Sequence, residues 1–231
     1  MKDSVIIVMA KLPQVGKTKT RLHPALSLQE TANLYQALLL DTIRLVTRLP
    51  WADLAVAITP PDSRLYFESV VPSGTLLLPV EGENIGACLA QVLDFALQMG
   101  YRKALALNSD GPSLPSQYLK LAAGYLEQAD LVFGPGEDGG YYLVGMKSPH
   151  TKIFENIHWS TQQVLSQTLE QATRLGLRTA LTPTWYDVDT LADLLRLEQE
   201  LETLPPDRLL HSRRFLANLE LRARFGGTLS T

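Results

Sequence analysis

A single carboxylate, Asp110, follows a short apolar run that ends at Leu107, and a Gly-Pro turn comes directly after it. Apolar runs of this length between helical segments are typical of buried parallel strands. Ligands of open α/β sheets bind just beyond the carboxyl ends of such strands. We therefore expect Asp110 at the mouth of a cleft, where its carboxylate could hold Mg²⁺ or Mn²⁺ against the phosphates of a nucleotide. The alternative is that Asp110 only stabilises the turn or caps the next helix.

A basic loop lies between the first predicted strand and the first long predicted helix. Its chemistry-bearing residues are Lys11, Gly16, Lys17, Lys19 and Arg21. Diphosphates and triphosphates bind to cationic side chains and to exposed backbone N–H groups, both of which such a loop supplies. We interpret these five residues as the nucleotide- and phosphate-binding set, with a solvated basic loop as the alternative. A P-loop is excluded because Lys11 stands where that motif needs its first glycine.

A glycine-rich turn combines two adjacent carboxylates with an aromatic residue, in the order Glu137, Asp138, Gly139, Gly140 and Tyr141. Glu137 or Asp138 could bind the hydroxyl group of an acceptor or act as the general base of a transfer reaction. The two glycines would let the backbone approach a substrate closely, and Tyr141 could stack on a ring or donate a hydrogen bond. A plain hairpin turn also uses Asp-Gly-Gly, and it is the alternative here.

Two further aspartates, Asp187 and Asp189, precede a predicted helix near the end of the chain. Residues i and i+2 of an extended segment point to the same side, so either aspartate could complete the metal site of Asp110. We prefer Asp187 as the metal ligand, and we expect one aspartate of this segment to face the cleft and the other to cap the helix, a role that Thr190 could also fill. Trp159, which precedes another predicted helix, is a candidate wall of the acceptor pocket.

Strand-like and helix-like segments alternate through most of the chain, which predicts a layered α/β protein with a mostly parallel sheet. Strands are predicted at residues 4–10, 54–59, 75–78, 103–107, 130–134, 141–146 and 178–182. Helices are predicted at residues 28–49, 62–70, 84–100, 115–128, 161–176 and 191–201. The strand at 141–146 is expected to run antiparallel, because the turn before it is too short for a crossover connection.

The predicted domain covers residues 1–204, and residues 205–231 form a C-terminal helical tail. Leucines and arginines alternate in this tail in the manner of an amphipathic helix, which would pack on the domain or on the partner chain of a homodimer. The net charge of −3 gives no reason to expect nucleic-acid binding. No segment approaches the ~20 apolar residues that span a bilayer, and the single cysteine excludes an internal disulfide, so we expect a cytoplasmic protein.

Taken in chain order, these motifs resemble a bacterial family of glycosyltransferase-like proteins, known as domain of unknown function 2064 and as a transferase associated with arsenosugar and radical-enzyme gene clusters. The resemblance covers residues 4–200 and rests on the following motifs: Ala10-Lys11-x-Pro13-x-x-Gly16-x-x-Lys19-Thr20-Arg21-Leu22, Ser109-Asp110-x-Pro112-x-Leu114, Gly134-Pro135-x-Glu137-Asp138-Gly139-Gly140-Tyr141-Tyr142-Leu143-x-Gly145, Trp159-Ser160-Thr161 and Asp187-Val188-Asp189-Thr190.

This resemblance implies a single-domain, three-layer α/β/α fold of the GT-A type, as in the nucleotide-diphospho-sugar transferase superfamily, with guanylyltransferases of cofactor biosynthesis among the relatives. It also implies that the basic loop binds the nucleotide, that Asp110 binds the metal ion, and that Asp187 or Asp189 is the second ligand. Many relatives carry another carboxylate three residues after the first, where this chain has Ser113. The number of metal ions or the metal affinity is therefore expected to differ from theirs.

The function predicted from the sequence is a metal-dependent, glycosyltransferase-like enzyme that uses a nucleotide-sugar donor and a small-molecule acceptor. One alternative is a nucleotidyltransferase of the guanylyltransferase type, which would couple a nucleoside triphosphate to a phosphorylated metabolite. A second alternative is a nucleotide-binding module without catalytic activity. The cofactor is expected to be Mg²⁺ or Mn²⁺ in either enzyme, because both would have to neutralise a polyphosphate.

Overall fold

The structure is a computed structural model that describes residues 2–225. Within this range, one mixed sheet of seven strands has the spatial order β3-β2-β1-β4-β6-β5-β7. The strands are β1 (Ser4–Lys11), β2 (Ala52–Thr59), β3 (Leu76–Pro79), β4 (Lys103–Leu107), β5 (Leu131–Pro135), β6 (Tyr141–Met146) and β7 (Thr179–Leu181). The helices are α1 (Leu28–Thr47), α2 (Arg64–Val70), α3 (Ile85–Gln98), α4 (Ser116–Tyr125), α5 (Val164–Arg174), α6 (Leu191–Thr203), α7 (Leu210–Leu219) and α8 (Leu221–Phe225).

The strand directions bring several loops to one edge of the sheet. Strands β1 to β4 are mutually parallel where they pair, and β5 is parallel to β7. Strand β6 runs antiparallel to both β4 and β5, as the short connection before it predicts. The carboxyl ends of β1 and β4 therefore lie beside the start of β6, where Asn108 donates its backbone N–H to the carbonyl of Tyr142 at 2.9 Å.

The sheet is buried on both faces, as expected for a central layer. Successive residues of β1 alternate between the two faces: Ile6 and Val8 pack with α1, α2 and α4, whereas Val5 and Ile7 pack with α3 and α5. All four of these side chains have no exposed surface. The predicted three-layer α/β/α arrangement is therefore confirmed.

The described part of the C-terminal tail packs on the domain. Leu216 of α7 belongs to a buried cluster with Leu34 and Leu38 of α1 and with leucines of α6. The predicted single helix is two helices, because Glu220 lies between α7 and α8 in the left-handed backbone region with φ 49°. Residues 226–231 of the tail lie outside the described residues, and the domain division at residue 204 and the homodimer stay predictions. Among the described residues, every helix is too short or too polar to cross a membrane.

The start of α7 is held by a carboxylate from another helix. Asp41 of α1 is buried, and its two oxygens accept the backbone N–H groups of His211 at 3.1 Å and Ser212 at 2.7 Å. These N–H groups have no partner within their own helix, so Asp41 takes the place of a local N-cap.

Replacing Asp41 with alanine is expected to lower the free energy of unfolding by about 2 kcal/mol, because two buried N–H groups lose a charged acceptor. The matched control is Asp207→Ala, which removes only an exposed ion pair with Arg48 and should cost less than about 1 kcal/mol. Urea unfolding followed by circular dichroism measures both values. Equal costs for the two variants would contradict the role given to Asp41.

Candidate active site

Two loops that are far apart in the sequence meet beyond the carboxyl end of β4. The backbone N–H of Val188 donates to the carbonyl of Asp110 at 2.9 Å, which fixes the 185–189 segment against the β4 loop. Gly111 permits this approach, because a Cβ there would lie 2.8 Å from the Tyr186 carbonyl oxygen. The aspartates at 110, 187 and 189 are therefore brought together as the sequence predicts.

Tyr35 of α1 ties the end of β1 to the β4 loop. Its hydroxyl accepts the backbone N–H of Lys11 at 2.8 Å and lies 3.1 Å from the hydroxyl of Ser109. Burial raises the pKa of Tyr35 to about 12, so its hydroxyl stays neutral and keeps both contacts at physiological pH. Sequence analysis did not identify Tyr35, because its helical spacing is that of an ordinary core residue.

Lys19 joins two of the aspartates. Its Nζ lies 2.9 Å from Oδ1 of Asp110 and 2.8 Å from Oδ1 of Asp189, and only 4% of its side chain is exposed. Burial lowers the pKa of Lys19, but the charges of Asp110 and Asp189 outweigh it, and the pKa is raised above its ordinary value. Lys19 is thus a permanent cation that holds carboxylates in place, which differs from the free phosphate-binding lysine expected from the sequence.

Asp187 lies deepest of the three aspartates. Both of its carboxylate oxygens accept a hydrogen bond from the amide Nδ2 of Asn108, at 2.8 and 2.7 Å. Burial, followed by the charge of Asp110, raises the pKa of Asp187 to about 7. We call Asp110 and Asp187 the acidic pair, and a cation between them would offset the repulsion of two neighbouring carboxylates.

The acidic pair suits a divalent cation that is bound together with phosphates. Residues 2–225 contain no group of three or more His, Cys, Asp or Glu side chains placed to hold a metal ion by themselves. Mg²⁺ in nucleotide sites is commonly held by one or two carboxylates, with water and phosphate oxygens completing its shell. Oδ1 of Asp110 is buried and has no hydrogen-bond partner beyond the ion pair with Lys19, so it can accept such a cation.

Asp189 is less suited to bind a metal ion than the sequence suggests, and Ser113 forms its hydrogen bond with Tyr186. Asp189 is already neutralised, by Lys19 and by Arg21 at 3.5 Å, so it is the least suited of the three predicted metal ligands. The helix that follows it is capped by Thr190, whose hydroxyl accepts the N–H of Asp193. The expectation that one of the two aspartates caps this helix is therefore wrong. Ser113 points away from the acidic pair and donates to the hydroxyl of Tyr186 at 3.4 Å.

Two adjoining cavities open at this edge of the sheet. The first, which we call the basic cavity, has a volume of about 580 Å³. Its lining is Met9, Ala10, Lys11, Lys17, Thr18, Lys19, Thr20, Arg21, Tyr35, Ala57, Thr59, Gly82, Asn84, Ile85, Cys88, Asn108, Ser109, Asp110 and Asp189. Four of the five residues assigned to phosphate binding line it. Gly16 does not, and its φ of 76° shows that the glycine is needed for the backbone of the loop.

The second cavity, which we call the aromatic cavity, has a volume of about 370 Å³. Its lining is Met9, Arg21, Ile85, Leu89, Ala106, Asn108, Asp138, Gly140, Tyr141, Tyr142, Val144, Trp159, Ser160, Thr161, Gln162, Val164, Asp187 and Asp189. The acidic pair lies between the two cavities, because Asp110 lines the first and Asp187 lines the second. Asn108 lines both and is a further residue that sequence analysis missed, since its contact with Asp187 depends on the folded chain.

The glycine-rich turn contributes only part of its sequence to the aromatic cavity. Asp138 and Gly140 line it, and Oδ1 of Asp138 accepts the backbone N–H of Gly140 at 2.9 Å. Glu137 lies outside both cavities, where its two oxygens accept hydrogen bonds from Nη1 of Arg196 at 3.0 and 2.9 Å. Gly139 has a φ of 85°, and a Cβ there would lie 2.1 Å from the Gln162 carbonyl, so it serves loop packing.

Trp159 and Tyr141 form one wall of the aromatic cavity, with their rings in an edge-to-face arrangement and 6.5 Å between centroids. The indole of Trp159 rests on Gly86 of α3, where a Cβ would lie 2.2 Å from the ring. This geometry is compatible with the prediction that Trp159 and Tyr141 belong to an acceptor pocket.

Replacing Asp187 with asparagine is expected to stabilise the metal-free protein above pH 7. Because the pKa of Asp187 is raised from 3.8 to about 7 on folding, this group makes the protein less stable as the pH rises from about 4 to 7. The variant removes that penalty, so its Tm at pH 8 should exceed that of the parent by about 3 °C or more, equivalent to ~1 kcal/mol. The difference should vanish near pH 4.

Thermal melts in the presence of a chelator at pH 4, 6 and 8 measure this effect. The control is Asp138→Asn, because Asp138 lines the same cavity but its side chain is exposed. A Tm of the Asp187 variant at or below that of the parent at pH 8 would show that the Asp187 carboxylate is not destabilised by burial and by the charge of Asp110.

Comparison with known proteins agrees with this fold. The protein of Desulfovibrio desulfuricans G20 described provisionally as a nucleotide-diphospho-sugar transferase superposes with a TM-score of 0.88 at 29% identity, over 97% of this chain and 99% of its own. A cytidylyltransferase from Leptospira borgpetersenii serovar Hardjo-bovis superposes with a TM-score of 0.57 at 10% identity, over 96% and 97% of the two chains. A CMP:2-keto-3-deoxy-manno-octonic acid synthetase complexed with CTP gives a TM-score of 0.53 at 11% identity, over 88% and 99%.

The fold is thus that of the nucleotide-diphospho-sugar transferases and cytidylyltransferases, and the structural neighbours named above are described as transferases or synthetases. The chain belongs to the DUF2064 family, described as an uncharacterised protein conserved in bacteria, whose profile matches residues 42–161. The family and fold expected from the sequence motifs are therefore confirmed. No protein of curated function matches this sequence.

Proposed function

We propose that this protein is a metal-dependent glycosyltransferase that moves a sugar from a nucleoside diphosphate to a small-molecule acceptor. The observation that carries this proposal is the position of the acidic pair between a cationic cavity and an aromatic cavity. Such an arrangement suits a diphosphate on one side and a transferred group on the other, with the bond that breaks close to the acidic pair.

Lys11, Lys17 and Arg21 line the basic cavity and would bind the phosphates, while Lys19 keeps Asp110 and Asp189 in position. Charge-assisted contacts of this kind hold phosphate oxygens strongly. Asp110 and Asp187 would hold Mg²⁺ or Mn²⁺, which when bound offsets the negative charge of the diphosphate leaving group.

Asp138 is the side chain best placed to receive the proton of an acceptor hydroxyl. It lines the aromatic cavity and is exposed to it, whereas Glu137 is occupied by Arg196. The hydrogen bond from the Gly140 backbone fixes Oδ1 of this carboxylate to the turn, and Oδ2 would receive the proton. Of the two general bases considered from the sequence, the geometry therefore supports Asp138.

The second candidate is a nucleotidyltransferase, which is favoured by the fold similarity to cytidylyltransferases. The same cations and the same acidic pair would serve attack on the α-phosphate of a nucleoside triphosphate. The two reactions differ in their products, since glycosyl transfer releases a nucleoside diphosphate and nucleotidyl transfer releases pyrophosphate.

The test is a thermal-shift screen of nucleoside diphosphates, triphosphates and nucleotide sugars, with and without Mn²⁺, followed by product analysis for each ligand that binds. A ligand at 100 times its Kd raises the free energy of unfolding by ~2.7 kcal/mol, a shift that such a screen detects. We expect the largest shift with a nucleotide sugar and Mn²⁺, and release of a nucleoside diphosphate. Pyrophosphate release would favour the second candidate, and binding without any turnover would indicate a nucleotide-binding module.

A further inference from the structure

The two cavities differ in the sign of the charged side chains that line them. Three lysines and Arg21 line the basic cavity. Among the described residues, the aromatic cavity is lined by three carboxylates, Asp138, Asp187 and Asp189, and by a single cation, Arg21. Within the described part of the chain, the basic cavity is also lined by Asp110 and Asp189, so its cations outnumber its carboxylates by four to two, whereas the carboxylates of the aromatic cavity outnumber its cation by three to one.

Arg21 gives the aromatic cavity no free positive charge. Its Nη1 lies 3.5 Å from Oδ2 of Asp189, and it lines the basic cavity as well. Asp189 is neutralised by Lys19 and Arg21, and Asp187 would hold the metal ion, so Asp138 is the carboxylate of this cavity that opposes an anion. Asp138 has no cationic partner among residues 2–225, and an ionised group placed beside it would gain no counter-charge from a neighbouring side chain.

Part of the lining of the aromatic cavity is apolar. The ring of Trp159 meets Tyr141 edge-to-face and lies against Gly86, and Ile85 and Leu89 also line the cavity. Rings of this kind bind the apolar face of another ring or of a sugar, with a few polar groups fixing its orientation.

We propose that the acceptor is an uncharged hydroxyl compound with an apolar face, and that phosphorylated and carboxylated acceptors are rejected. This inference rests on the proposed function, because it assigns the aromatic cavity to the acceptor. The apolar face lies on Trp159, and the hydroxyl group donates a hydrogen bond to Asp138. The same charge pattern argues against a phosphorylated metabolite as the second substrate, which the nucleotidyltransferase alternative requires.

The experiment compares matched compounds that differ by one phosphate group. Phenyl β-glucoside and its 6-phosphate form one pair, and 1-O-benzylglycerol and its 3-phosphate form another. Binding to the full-length protein is measured by isothermal titration calorimetry and by saturation-transfer NMR, without nucleotide. We expect the uncharged member of each pair to bind at least tenfold more tightly than its phosphate.

Two variants and one control test the residues. Asp138→Lys places a cation in the aromatic cavity. It should improve the binding of the phosphorylated compounds and so reduce the preference for the uncharged compounds at least tenfold. Trp159→Ala should weaken the binding of the uncharged members at least fivefold. The control Asp3→Lys makes the same charge reversal at the opposite end of the sheet, where the Asp3 side chain is 75% exposed, and should change neither affinity.

The proposal is overturned if a phosphate binds as tightly as its uncharged partner, or if no uncharged member binds. Binding of nucleoside diphosphates is measured separately, which distinguishes this outcome from failure of the proposed function. If nucleotide binds and the phosphorylated compounds bind more tightly than their uncharged partners, the proposed acceptor class is wrong and the transferase assignment stands. If the uncharged compounds bind more tightly and no nucleotide binds, the selectivity of the cavity stands and the transferase assignment fails.

Discussion

The Asp110→Asn variant is expected to lose the metal-dependent part of its nucleotide binding and to turn over on the order of 10²-fold more slowly, because a cation at a leaving diphosphate contributes several kcal/mol. The substitution keeps the shape of the side chain but removes the charge that a hard divalent cation requires. The described partner of its buried Oδ1 is Nζ of Lys19 at 2.9 Å, a cation that cannot replace the lost carboxylate as a metal ligand.

The measurement for Asp110→Asn is the thermal shift produced by nucleotide and Mn²⁺ together, compared with nucleotide alone. The parent should show an added shift with Mn²⁺, and the variant should show none. Asp207→Asn is the matched control, since Asp207 is exposed and lies beside Arg48, away from both cavities described above. An undiminished Mn²⁺ effect in the Asp110 variant would remove this residue from the proposed metal site.

The Lys19→Met variant is expected to be less stable than the parent by about 3 kcal/mol, or roughly 8 °C in Tm. Methionine fills a similar volume but leaves Asp110 and Asp189 facing each other without the ammonium group between them. The expected cost lies at the low end for a broken buried ion pair, because about a third of each aspartate side chain remains exposed.

Thermal and urea unfolding of the metal-free protein measure the effect of Lys19→Met. The control is Lys147→Met, which removes a partly exposed lysine 3.9 Å from Asp130 and should cost less than about 1 kcal/mol. Mn²⁺ should restore part of the stability of the Lys19 variant, because a divalent cation then meets two uncompensated carboxylates. Unchanged stability would mean that Lys19 does not hold the two loops together.

The layered architecture follows from local features of the sequence. Apolar runs of strand length alternate with helical spacing, and the turn before residue 141 is too short for a crossover, so both the layers and the reversed strand could be predicted. Asp110 was found in the same way, as a carboxylate directly after a buried strand.

The contacts inside the site could not be predicted by these rules, because they join residues that are distant in the chain. Lys19 was predicted to bind phosphate because it lies in the basic loop, yet its side chain contacts Asp189, which lies 170 positions away in the chain. Glu137 carries the same local signal as Asp138, and only the position of Arg196 on α6 shows that it is engaged elsewhere. Asn108 has no motif, and its contact with Asp187 depends on how the 185–189 segment lies against β4.

The ammonium group of Lys19 has a consequence for the resting state of the protein. A built-in positive charge already neutralises the crowded acids before any ligand arrives, so folding need not wait for a metal ion, unlike in domains that collapse only when zinc is present. The cleft is thus preorganised, and treatment with a chelator should leave a folded protein that can be recharged with different divalent ions. Under the proposed function, the choice of metal would then depend on how the nucleotide is bound and would not affect the stability of the fold.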